Sequence, residues 1–311
     1  MRSRHVTLLG LAATATVVAA AAALGQGQTT GSNTAGPAKT WTLPRTPDGQ
    51  PDLQGIWTNY TATPFEVPDK SDTPDFYAGD LDGTGRGTGS GFLNDSSDRE
   101  LTKNLSLVID PPNGRVPIMP WAEERRNYKL THIQDHWENH TAWERCITRG
   151  VPGGIFPAGY GSGYQILQSR GHVAIVYEMI HEARIIPIDG RQQSAVPRWH
   201  GDSRGHWDGD TLVVETARFS NKTNFRGSGE GLRLVERYQR VNAGTLLYQV
   251  RIEDPTTWTR PWTVQIPMTP NDEGFFEYAC HEGNHGLQGI LKGSRLDDKL
   301  AAEAVKTGTR P

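Results

Sequence analysis

The residues best suited to chemistry are concentrated between Arg198 and Phe219, where two histidines and four carboxylates lead into an apolar run. Asp208-Gly209 is a favoured hairpin dipeptide, because the central positions of such turns need a positive φ. A tight β-corner here would gather the preceding polar side chains at one end of a sheet. The side chains expected there are His200, Asp202, His206 and Asp208.

These residue types are those of general acid–base catalysis. Imidazole titrates near neutral pH, so a histidine can both accept and release a proton under physiological conditions. A neighbouring carboxylate fixes the tautomer and orientation of the ring. His200, Asp202 and His206, with Glu215 on the following strand, are therefore candidate catalytic residues. The alternative is a hydrogen-bonded corner that only holds the hairpin, and the sequence leaves both interpretations open.

A second candidate site is the string His281-Glu282-Gly283-Asn284-His285, which fits H-E-x-x-H. In a helical zinc site of this type the two histidines bind the metal and the glutamate is the general base. His281 and Glu282 are therefore further catalytic candidates, and His281 with His285 are candidate zinc ligands. Glycine and asparagine disfavour the helix that the motif needs. No cofactor is required by the sequence, and zinc is the metal that this motif would bind.

Four residues are candidates for substrate binding. Trp199 and Trp207 flank the histidines and could stack on a sugar or an aromatic ligand. Packing inside a barrel is the alternative role for these tryptophans. The other two binding candidates, on predicted strands, are Tyr164 and Arg184.

The start of the chain predicts export. Residues 1–25 combine a short basic segment, an apolar stretch and small residues at a cleavage site, as in a secretory signal peptide. Residues 26–40 are expected to be a disordered linker, and 41–311 a single domain with a Gly/Pro-rich excursion at 61–104. We expect a periplasmic or extracellular protein without stable membrane insertion after cleavage. The net charge of −3 gives no basic stripe for nucleic acid, so the expected partner is a small molecule.

Cys146 and Cys280 are the two cysteines of the chain. An oxidising compartment favours a disulfide between them over two free thiols. The alternative is a catalytic thiol at Cys280, which His281 follows directly.

The pattern of the chain predicts a mainly β fold. Short alternating segments predict strands at Leu53–Tyr60, Tyr164–Ser169, His172–Glu178, Ala183–Asp189, on both sides of Asp208-Gly209, and at Leu232–Val241, Thr245–Asp254, Thr257–Met268 and Phe275–Cys280. A helix is expected from Trp121 to about His140, with His132, His136 and His140 on one face, and another over Leu287–Val305. We expect an antiparallel, lipocalin-like barrel of about eight or nine strands with a helix before it and a C-terminal helix.

Several motifs resemble those of a family of exported bacterial proteins to which no general activity is attached. They are PDLQGIW from Pro51, RCITRGVPG from Arg145, GDSRGHWDGDTLVVET from Gly201, DPTTWTRPWTV from Asp254 and EYACHEGNHGL from Glu277. The G-x-W at Gly55 to Trp57 is similar to the opening of lipocalin barrels, in which the tryptophan closes the barrel floor. The resemblance implies export and one continuous domain rather than a reaction.

Three functions follow from these patterns. The first is an exported lipocalin-like enzyme that performs acid–base chemistry, as a lyase, hydratase or hydrolase, on a small apolar or glycosidic molecule. The second is a periplasmic binding protein without catalysis. The third is a zinc-dependent hydrolase that uses His281 and His285.

Overall fold

The computed structural model describes residues 41–61, 63–67, 104–158, 161–223 and 225–308. The expected signal peptide, the expected linker and most of the excursion at 61–104 lie outside these residues. None of the described helices is long and apolar enough to cross a lipid bilayer.

The described chain contains ten strands and two α-helices. In chain order they are β1 Gly55–Thr58, β2 Val108–Asp110, α1 Pro120–Thr131, β3 Gly163–Ser169, β4 His172–Tyr177, β5 Ala183–Pro187, β6 Asp202–Asp208, β7 Thr211–Ala217, β8 Arg233–Asn242, β9 Thr245–Glu253, β10 Trp262–Pro270 and α2 Gly286–Thr307. Three short 3-10 helices lie at Trp137–Asn139, Gly153–Ile155 and Met179–His181.

Nine strands form a nearly closed antiparallel barrel, so the predicted fold class is confirmed. The hydrogen-bonded order is β5-β4-β3-β1-β10-β9-β8-β7-β6, and β2 pairs with β10 beside this path. An odd number of antiparallel strands makes the two terminal strands, β5 and β6, point the same way. Both therefore begin at the same end of the barrel, which we call the β5/β6 entry end.

The barrel forms because its strands alternate between inward apolar and outward polar positions. The predicted alternation in the β8–β9 hairpin is confirmed by complete burial of Tyr248, Val250 and Ile252. Trp57 is also buried; its indole nitrogen donates to the Leu53 carbonyl oxygen at 3.0 Å. One hydrophobic cluster extends through the interior from these positions.

The seam between β5 and β6 is close-packed. Gly205 of β6 lies against β5, and a Cβ atom there would approach Ile188 Cγ2 to 2.8 Å and Ile186 Cγ2 to 3.1 Å. Glycine is needed here because a larger side chain would push the two terminal strands apart.

A buried ion pair crosses the interior beside this seam. Arg184 of β5 forms two hydrogen bonds to the carboxylate of Glu236 on β8, one of them 2.9 Å long. The same guanidinium donates to Ser203 of β6 at 2.9 Å and to Thr216 of β7 at 2.6 Å. Tyr238 and Tyr248 donate their hydroxyl protons to Glu236 Oε1 at 3.0 and 3.2 Å. One side chain thus connects four strands.

The position of the first hairpin turn differs from the prediction by one residue. Asp208 pairs with Thr211, so the two loop residues are Gly209 and Asp210. Gly209 has a φ of 59°, whereas the φ of Asp210 is not positive. This combination is typical of hairpin turns that need glycine only at the first of their two central positions. More importantly, this turn lies after β6, whereas His200 precedes it. The turn and His200 are therefore separated by the length of the seven-residue strand β6, about 20 Å.

The helix predicted before the barrel is shorter than expected. It begins at Pro120, one residue before the expected start, and ends at Thr131, and His136 has an extended backbone with φ −151°. The His136 ring instead accepts a hydrogen bond from the Glu138 amide at 3.2 Å. The predicted helical face of three histidines is therefore wrong, because the chain turns after the first of them. The predicted C-terminal helix is confirmed as α2.

Two strand predictions need correction, and one strand was missed. The segment from Phe275 to Cys280 is not a strand. β10 begins at Trp262 rather than Thr257, because Asp254 accepts hydrogen bonds from the hydroxyls of Thr256 and Thr257 at 2.7 and 3.0 Å and holds a turn there. The short strand β2 was not predicted.

Replacing Arg184 by methionine should lower the free energy of unfolding by about 3–5 kcal/mol, because it leaves Glu236 buried without its counter-ion. Denaturant unfolding measures this change. The double variant Arg184→Met/Glu236→Leu should recover much of the loss, since apolar residues can replace a buried ion pair. Arg237→Met is the control, because the Arg237–Asp208 pair is exposed and should contribute little. Equal effects of Arg184→Met and Arg237→Met would contradict the role of the interior pair.

Candidate functional site

His200 and Glu182 meet at the β5/β6 entry end. Glu182 is the residue directly before β5, and His200 lies two residues before β6. His200 Nε2 is 3.1 Å from Glu182 Oε2 and also contacts the Thr148 hydroxyl oxygen. The side chain of Glu182 is 9% exposed and that of His200 is 25% exposed. A carboxylate from the interior thus holds an imidazole at the surface.

The tautomer of His200 follows from these contacts. A carboxylate can only accept a hydrogen bond, so the ring nitrogen that faces Glu182 carries the proton. We therefore assign the ring proton to Nε2, which donates towards Glu182 and Thr148. Nδ1 has no hydrogen bond to any described residue and is not among the buried polar atoms without a partner. The outward nitrogen is left with a lone pair that can accept a proton.

The turn before Glu182 has an unusual backbone. Ile180 and His181 both adopt left-handed conformations, with φ of 63° and 51°, which cost energy for residues other than glycine. His181 Nδ1 accepts the Tyr278 amide proton at 3.1 Å, and the Tyr177 amide donates to the Glu182 carbonyl at 2.9 Å. The second bond continues the β4–β5 ladder, so Glu182 and Tyr177 are cross-strand neighbours.

The predicted disulfide is confirmed and lies next to this site. Cys146 and Cys280 are bonded, with Cα atoms 5.6 Å apart and a sequence separation of 134. Cys146 is two residues before Thr148, and Asn284 Nδ2 lies 3.2 Å from Cys146 Sγ. The bridge therefore attaches the segment from Tyr278 to Asn284 to the same barrel end as His200.

Polar groups continue from Glu182 into the barrel. Tyr177 is buried, and burial raises the pKa of its hydroxyl far above the usual range. The charges of Glu236 and Glu182 raise this pKa further, while Arg184 opposes them. The Tyr177 hydroxyl therefore remains protonated. Its side chain lies between the Glu182–His200 pair and the Arg184–Glu236 ion pair.

The predicted catalytic residues do not all meet. Asp202 is buried and accepts hydrogen bonds from Arg204 at 2.6 and 2.9 Å, which is a structural role. His206 is exposed on the outer face of β6. His281 and Glu282 are exposed beside the disulfide, at the barrel end of His200. Among the described residues, the hydrogen-bonding contacts of His200 are with Glu182 and Thr148. The expected convergence of four polar residues is replaced by this smaller cluster.

The H-E-x-x-H string is not helical. Gly283 has a left-handed φ of 67°, and α2 begins at Gly286, after both histidines. His281 and His285 therefore do not occupy successive turns of one helix, which corrects the geometry expected of a zinc motif. Within the part of the chain that the structure describes, no group of three or more potential ligands could hold a metal ion.

The predicted binding residues are mostly part of the packing. Tyr164 is buried, and its hydroxyl oxygen accepts a proton from Asn59 at 2.9 Å. Arg184 belongs to the interior ion pair. Trp207 packs half-buried against the core, and half-buried Trp199 provides its carbonyl oxygen to Thr223 at 2.9 Å.

Sequence reasoning missed Glu182, Thr148 and Tyr177. The sequence did contain a signal for Glu182. Side chains alternate in direction along a strand, so Glu182 points to the same inward side as Arg184 and Ile186 at the start of a predicted strand. A charged residue at an inward position of a barrel strand indicates either an interior ion pair or a site. Thr148 lies in a loop, and no sequence pattern near it predicts its contact with His200, which is 52 residues away in the chain.

Comparisons with known proteins add little. No protein-family model matches the chain, and no curated protein matches it. Among solved structures, the chain is similar to a "secretary abundant heat soluble" (SAHS) protein from Ramazzottius varieornatus, with 13% sequence identity and a TM-score of 0.25. That similarity covers 42% of this chain and 86% of the other. At this TM-score it carries no argument about function.

Removing the disulfide should loosen the entry end. The double variant Cys146→Ser/Cys280→Ser should lose about 2–5 kcal/mol of stability. Amide hydrogen exchange should then rise most at Tyr278 to Asn284, because the bridge holds this segment against Thr148. An exchange increase spread evenly over the barrel strands would contradict a local role of the bridge.

Proposed function

We propose that this protein is an acid–base enzyme in which His200 is the general base. The observation that carries the proposal is the Glu182–His200 pair, in which a buried carboxylate orients an imidazole whose other nitrogen has no hydrogen bond to a described residue. Such pairs let histidine take a proton from a substrate or from water while the carboxylate stabilises the imidazolium. The strained turn at Ile180 and His181, directly before Glu182, also supports a functional role.

The proton balance is simple. His200 Nδ1 accepts a proton from a C–H, from an O–H or from an attacking water, and Glu182 stabilises the resulting charge through Nε2–H. The imidazolium then returns the proton to the leaving group or to the product. This sequence fits a lyase, a hydratase or a hydrolase step, and the pair itself does not choose among them.

The packed interior bears on the binding-protein alternative. A carrier for an apolar molecule needs an apolar cavity, but this barrel contains the Arg184–Glu236 pair and its tyrosines. Desolvated charges in that position favour a polar ligand at the entry end over an apolar ligand within the barrel. A small molecule with polar groups is therefore the substrate class that we propose.

We also propose that the protein is exported. The basic and apolar start of the chain is typical of a secretory signal, and the Cys146–Cys280 bridge suits an oxidising compartment. Membership of the exported bacterial family rests on the quoted motifs and belongs to the same proposal.

The test is turnover of substrate panels by the mature protein. Aryl esters, aryl glycosides and activated β-elimination substrates cover the three reaction types. With a substrate that is turned over, His200→Ala should lower the rate by about 10²–10⁴, the usual contribution of a general base, with little change in melting temperature. His172→Ala, at the opposite barrel end, is the matched control and should keep the rate. Equal rates for the wild type and His200→Ala, or no turnover of any class, would contradict the proposal.

A further inference from the structure

Two buried polar atoms beside the Glu182–His200 pair have no hydrogen-bond partner among the described residues. They are the Tyr177 hydroxyl oxygen and Glu182 Oε1. Arg184 lies close enough to the Tyr177 oxygen to lower the pKa of that hydroxyl, but the hydroxyl proton has no acceptor among the described residues. A buried group without a partner costs about 1–3 kcal/mol, so two such groups in one place call for an explanation.

The two atoms belong to cross-strand neighbours. The bond from the Tyr177 amide to the Glu182 carbonyl, 2.9 Å long, follows the pairing of Val176 with Ala183. Side chains of directly opposed residues lie on one face of a sheet, with Cβ atoms about 4.5–5.5 Å apart. Both side chains are at least nine-tenths buried. The free hydroxyl proton and the free carboxylate oxygen therefore belong to side chains on the same inward face of the β4–β5 pair, at the entry end.

Their hydrogen-bonding capacities are complementary to a single kind of group. Tyr177 is kept protonated and offers a donor, while ionised Glu182 offers only an acceptor. A ligand group that satisfies both must accept one hydrogen bond and donate another. Hydroxyl and primary amide groups do this. A carboxylate cannot donate and would face Glu182 and Glu236, and an ammonium cannot accept.

We propose that Tyr177 and Glu182 Oε1 bind a neutral hydroxyl or primary amide group of the substrate. The inference deepens the proposed function and rests on it, because Glu182 Oε2 contacts His200. Only the Glu182 carboxylate therefore separates a group bound at Oε1 from the imidazole. Glu182 has two roles in this arrangement, orienting the base through one oxygen and holding the substrate through the other.

The experiment is an NMR titration of the full mature protein carrying carbon-13 in its tyrosine rings. The probes are acetamide, acetate and methylammonium, which have similar sizes but different charge and hydrogen-bonding capacity. Acetamide should shift the Tyr177 ring signals saturably, and the two ions should bind at least about tenfold more weakly. Tyr177→Phe should weaken acetamide binding about tenfold, the equivalent of one hydrogen bond.

Two variants sharpen the result. Tyr248→Phe removes another buried tyrosine hydroxyl from the interior, one that already donates to Glu236, and should leave acetamide affinity within about twofold. Glu182→Gln removes the negative charge, so acetate should gain affinity relative to acetamide. This second variant keeps the proposal testable if Tyr177→Phe fails to fold.

The outcomes separate the two proposals. His200→Gln should lower turnover by about 10²–10⁴ yet keep acetamide binding, so a failure of catalysis alone leaves this site intact. Equal binding of acetate and acetamide, or unchanged affinity in Tyr177→Phe, would overturn the inference. An absence of saturable binding by any probe would also overturn it, because the two atoms would then hold only water.

Discussion

The buried contact between Arg184 and Glu236 is the interaction on which the rest of this barrel depends. Removing two charges from water is costly, and the cost is offset only when nearly every donor and acceptor finds a partner. Here the guanidinium and the carboxylate reach Ser203, Thr216, Tyr238 and Tyr248 as well as each other. Because these residues come from β5, β6, β7, β8 and β9, the pair fixes how the two terminal strands of the barrel face each other.

This constraint places the candidate site. β5 and β6 begin at the same end, and Arg184 anchors β5 two residues after Glu182. Ser203, bonded to Arg184, is three residues after His200. The interior ion pair thus sets the relative position of the carboxylate and the imidazole from inside the barrel. The Cys146–Cys280 bridge and Thr148 support the same geometry from outside, so the partly exposed His200 lies between two rigid parts of the fold.

Much of the fold could be read from the sequence, because alternation in β8 and β9 reflects burial directly. The site was harder to predict. The Asp208-Gly209 signal did indicate a hairpin, but a turn after β6 cannot gather residues that precede β6, and only the strand direction reveals this. Thr148 and Glu182 reach His200 through long-range contacts that leave no spacing in the sequence. The H-E-x-x-H string misled in the opposite way. Its residue types suited a zinc site, but Gly283 has a left-handed conformation that excludes the helix such a site needs.

The central claim is that Glu182 holds His200 with its proton on Nε2 and its lone pair on Nδ1. Long-range hydrogen–nitrogen-15 NMR correlation of the protein, at a pH where the ring is neutral, measures this directly. We predict the Nε2–H tautomer for His200, with exposed His206 as an internal reference and with loss of the fixed tautomer in Glu182→Leu, which removes the acceptor oxygen that glutamine would keep. Protonation of His200 at Nδ1, or a tautomer unchanged by Glu182→Leu, would contradict the account.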